Sequence, residues 1–110
     1  MKTPVYITSI ASVSPLGKTS EEIWEHYKDP NHLISSQEFN GKFEYAAFLP
    51  KELKEELEQF RNSKPHFKNL DESVLYAIFT SREAVKRSGW GCPGNIGINI
   101  GSSRGATQLF

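Results

Sequence analysis

Residues 70–100 read LDESVLYAIFTSREAVKRSGWGCPGNIGINI, and the fold class turns on this stretch. Val74, Leu75, Ile78, Phe79, Ala84 and Val85 recur at helical spacing and make one broad apolar face, so a helix is predicted over roughly 70–88. Asp71 stands near its start, where a carboxylate suits the positive end of the helix dipole. Lys86 and Arg87 fall in the last turn, and Gly89 is the expected terminator. The turn cluster WGCPG at 90–94 leads into NIGINI at 95–100, a short apolar strand weakened at Gly97, where no side chain packs.

Upstream, residues 5–10 (VYITSI) are β-branched and aromatic and lie between Pro4 and a turn-forming run that includes Pro15 and Gly17. They read as a first buried strand. Thr19 followed by Glu22 is the signature of a capping box, opening a helix with an apolar stripe of Ile23, Trp24 and Tyr27. Asp29 and Pro30 end it, because the residue before proline disfavours the helical region. Residues 33–41 read as an irregular polar loop, and KFEYAAFL at 42–49 as an extended segment. Pro50 fits the first turn of another helix in which Leu53, Leu57 and Phe60 repeat, and 63–69 reads as a loop. Two apolar strands connected through helices predict an α/β fold with a parallel strand pair and a right-handed crossover. The length of that crossover makes the second and third helices an inserted layer.

The chain has 110 residues, about one domain, and 37% of them are hydrophobic. Seven phenylalanines, four tyrosines and two tryptophans supply enough bulk for a modest core. Thirteen basic residues balance thirteen acidic ones, so no basic excess points to nucleic acid. A single cysteine, Cys92, excludes an intrachain disulfide and a thiolate metal cluster. The opening apolar run is too short for a signal segment, and no run approaches membrane-spanning length, so a reducing, cytoplasmic setting is expected. The last residues, 106–110, read as the first turn of a further helix that stops on an apolar residue, which leads to the expectation of a chain cut short.

Three blocks of this sequence resemble a known family. VYITSIASVSPLGKTSEEIWE (5–25) is similar to the first strand, Ser-Pro-x-Gly turn and first helix of the β-ketoacyl-acyl-carrier-protein synthases. NLDESVLYAIFTSREAVKRSGW (69–90) resembles their long third helix, and NIGINIGSSRGATQLF (95–110) the strand and Gly-Ser-rich loop after it. Order and spacing agree, whereas residues 31–68 match only in length and general character. The resemblance implies a partial thiolase-like fold, with residues 1–110 an incomplete N-terminal synthase domain that ends before the catalytic cysteine region. It also implies decarboxylative Claisen condensation by a parent enzyme. There a cysteine thiolate takes an acyl chain and two histidines assist decarboxylation of a malonyl thioester. An acyl carrier protein, and a homodimer or synthase-like heterodimer, are the partners so implied; no cofactor is.

The residues present here do not make that catalytic set. Cys92 lies in a Gly-Cys-Pro-Gly turn, unlike the family's nucleophile at a helix start, and reads as a turn residue. His26, His32 and His66 are scattered, match neither family histidine and fit no zinc spacing. Ser14, Ser102 and Ser103 lack a nucleophile elbow, and GSSRG at 101–105 lacks the lysine of a phosphate loop, so it reads as a tight strand-to-helix connection. Trp24, Tyr27, Phe79 and Trp90 read as packing residues. Arg104 departs from the family, whose equivalent loop position tends to be apolar and helps line the far end of the acyl pocket. A guanidinium is costly in an apolar tunnel unless paired, so Arg104 either points away, narrows the pocket or meets an anionic partner. Arg104 is therefore the candidate substrate-binding residue, at the pocket edge. Catalysis by the parent is the leading expectation. A non-catalytic partner subunit of the same fold, and a small stand-alone interaction domain, are the alternatives.

Overall fold

The computed structural model describes residues 2–91 and 94–106. Its elements in chain order are α1 (Ser20–Lys28), β1 (Ser35–Phe39), β2 (Lys42–Ala46), α2 (Lys51–Asn62), a single 3-10 turn at Pro65–Phe67, and α3 (Glu72–Ser88). The chain is thus mixed α/β. It divides into two compact units, one of Ser12–Gln59 and the other of the residues before and after that segment.

In the Ser12–Gln59 unit, the chain turns at Ser14 and Gly17, which exchange backbone hydrogen bonds of 2.9 and 3.3 Å. Gly17 holds φ at +106°, a region L side chains rarely enter. Thr19 and Glu22 then form the expected capping box at the start of α1. No residue of α1 is buried. Trp24 and Tyr27 stand 61% and 70% exposed, so the aromatic stripe read as packing is bare here. Asp29 closes the helix, with its N–H reaching the carbonyls of Glu25 and His26.

The next segment corrects the polar-loop reading of residues 33–41. Ser35–Phe39 pairs antiparallel with Lys42–Ala46, with Ser36 opposite Tyr45 and Glu38 opposite Phe43. Asn40 and Gly41, at φ +51° and +81°, supply the two left-handed residues that a two-residue hairpin turn requires. α2 follows Pro50, whose carbonyl accepts from Lys54 N–H, and buries Leu53 and Leu57 one turn apart. Lys18 pairs with Glu56 of α2 at 2.5 Å.

The other unit is organised by α3. Asp71 caps it by accepting from the N–H and the hydroxyl of Ser73, both at 2.8 Å, and Gly89 ends it at φ +74°. Leu75 and Phe79 are buried on one face of the helix together with Phe67 of the 3-10 turn. Phe60 lies with its ring centroid 5.0 Å from Phe67 and 5.3 Å from Phe79. One nitrogen of Arg61 reaches the carbonyls of Phe67, Lys68 and Leu70, holding the 63–70 connection in shape.

The predicted parallel strand pair is not formed. The sheet is the antiparallel β1–β2 hairpin, and residues 5–10 and 95–100 carry no ladder among the described residues. Residues 5–10 are tied instead to α3: Ser9 Oγ donates to the Ala84 carbonyl at 2.6 Å, and Arg87 donates to the Ile10 carbonyl at 3.0 Å. The physical reason is cooperativity. Two short parallel strands without neighbours or covering layers are marginal, and bringing them together closes a long loop. The hairpin closes over two residues and is local.

Candidate functional site

Along α3, on the side away from Leu75 and Phe79, runs an open apolar hollow of about 810 Å3. Val74, Ala77, Ile78 and Val85 line it from the helix, and Trp90, Ile96, Ile98 and Ile100 from the segment that follows. The helical periodicity that signalled one broad face thus resolves into two: Leu75 and Phe79 point into the core, while Val74 and Ile78 line the hollow. The polar groups bordering it are few, with Ser73, Ser81, Asn99 and Ser102 among them. Reading the sequence for catalytic residue types passes over this hollow, because apolar side chains carry no such signal.

The loop at 101–105 sits at one end of the hollow. Gly105 takes φ +69°, and its N–H donates to Ser102 Oγ at 2.9 Å. Gly101, Ser102 and Gly105 border the hollow, whereas Arg104 is exposed and is not among its lining residues.

The other candidates are dispersed. Ser14 accepts from Leu16 N–H and serves its turn. His26 borders a separate depression of about 380 Å3 with Leu33, Phe48 and Pro50. His32 is exposed in the loop after α1, and His66 stacks edge-on against Phe67 at 4.6 Å. No cluster of metal-ligating side chains occurs among the described residues. Cys92 lies outside the described residues, as does most of the segment read as the start of a further helix. The Glu22 carboxyl is held below its ordinary value. The N–H groups of Lys18 and then of Thr19 bond to it and favour its ionised form, which marks a helix cap.

No helix among the described residues is long and apolar enough to cross a membrane. Comparison of the chain with protein-family models, curated proteins and solved structures returns no match.

Proposed function

We propose that the chain is the amino-terminal portion of a β-ketoacyl synthase-type condensing enzyme, with a thiolase-like fold completed by further residues of the parent. Two apolar runs, 5–10 and 95–100, lie along the same helix with their side chains in water, and this arrangement supports the reading. Val5, Ile7 and Ile98 are 94%, 81% and 82% exposed. Exposed apolar side chains such as these call for cover, since each Å2 of apolar surface removed from water is worth about 25 cal/mol. In an α/β layered fold such runs are sheet strands, and the open face of α3 is the seat of a layer. The three sequence blocks that resemble the synthases include both runs and the helix.

On this reading the 110 residues supply scaffold and pocket edge, and the reaction is carried elsewhere in the parent. The parent takes an acyl group from an acyl carrier protein onto a downstream cysteine. It then extends that group with the carbanion left by decarboxylation of a malonyl thioester. Arg104 narrows the range of acyl chains accepted. The test is acyl loading from a carrier-protein thioester, together with malonyl decarboxylation, on the full-length gene product. A product with no cysteine at a helix start beyond residue 105, or one that takes up no acyl group, would remove the enzyme reading.

A further inference from the structure

We draw no further inference here: the strongest candidate, the open apolar hollow between α3 and residues 96–106, belongs to the face already assigned to the missing layer of the proposed fold, and nothing in the structure shows what else covers it.

Discussion

Thr19 and Glu22 cap the first turn of α1 reciprocally: Glu22 N–H donates to Thr19 Oγ1 at 3.1 Å, and the Glu22 carboxylate accepts from Thr19 N–H at 3.3 Å and Lys18 N–H at 3.0 Å. Because α1 buries none of its residues, these caps are a large part of what holds it. The bonds lower the Glu22 pKa in the folded chain. Their contribution is therefore complete above the ordinary glutamate value, about 4.3, and is lost as pH falls through the depressed folded value. Carboxyl titration by NMR should place Glu22 below the ordinary glutamate value, with the amide shifts of α1 following the same curve. Glu22→Gln should remove that acid-range change, and Thr19→Ala should cost about 1 kcal/mol. A Glu22 titrating at the ordinary glutamate value would contradict this account.

Gly17 is constrained from two directions. Its φ of +106° is unfavourable for any side chain, and a Cβ there would run into Glu22 Oε2, with Glu22 Cβ only 3.1 Å away. Gly17→Ala should destabilise the Ser12–Gln59 unit by about 1–3 kcal/mol. In a Glu22→Ala background the clash with the carboxylate disappears, while the close Cβ contact and the backbone part remain. A double-mutant cycle read by hydrogen exchange in α1 should then show coupling of at least about 0.5 kcal/mol. Additive losses would mean that the carboxylate moves aside at no cost.

What the sequence made legible was chiefly local. Thr19 with Glu22, Asp71, Pro50 and Gly89 mark helix ends through chemistry within a few residues, and the structure places helix ends at each of them. Leu53 and Leu57 likewise bury at the spacing their periodicity implies. Strand pairing is non-local, and there the reading failed: VYITSI and NIGINI have strand composition, but composition does not supply a neighbour to pair with. Asn40–Gly41 is a hairpin-turn dipeptide, and the reading of residues 33–41 as a polar loop passed over it. Trp24 and Tyr27 show the matching limit for helices, since a stripe reveals which face is apolar and not what covers it. The hollow along α3 was legible only as half of a broad apolar face. Arg104 could be singled out from the family resemblance, but its exposure could not.

The core of the α3 unit is small, so its members should be unequal to the exposed aromatics in a measurable way. Leu75 is 1% exposed and Phe67 3%, while Trp24 is 61% exposed. Leu75→Ala should cost about 2–5 kcal/mol and Phe67→Ala about 3–5 kcal/mol, enough to unfold so small a unit. Trp24→Ala should change stability by no more than about 0.5 kcal/mol. Urea unfolding followed by far-UV circular dichroism compares the three. A Trp24→Ala loss as large as that of Leu75→Ala would show that α1 is covered in solution.

The apolar runs should behave oppositely in the chain and in its proposed parent. Ile7 and Ile98 are exposed here, so Ile7→Lys and Ile98→Lys should leave the helical content of the 110-residue chain intact and reduce its concentration-dependent association. In the full-length protein the same positions would be buried strand residues, where an unpaired ammonium is strongly disfavoured, and the expected result is loss of soluble protein. Light scattering on the short chain and soluble yield of the long one make the comparison. Lysine variants that are equally soluble in both would remove the proposed sheet.

Arg104 gives the sharpest test of substrate range. In this chain its side chain is exposed and does not line the hollow along α3. If the completed fold closes over the 101–105 loop, the guanidinium must be paired or must shorten the space available to an acyl chain, because a bare charge in an apolar tunnel is costly. Arg104→Ala in the full-length protein should then raise loading of long saturated acyl groups relative to short ones by about tenfold, the scale on which small changes in an apolar pocket discriminate. The measurement is competitive loading from a mixture of carrier-protein thioesters, read by mass spectrometry of the acylated protein. Arg104→Lys, which keeps the charge without the planar fork, should leave the preference nearer that of the unmodified protein. A chain-length preference unchanged by Arg104→Ala would leave Arg104 as the surface residue it is in this chain and would remove its role at the pocket edge.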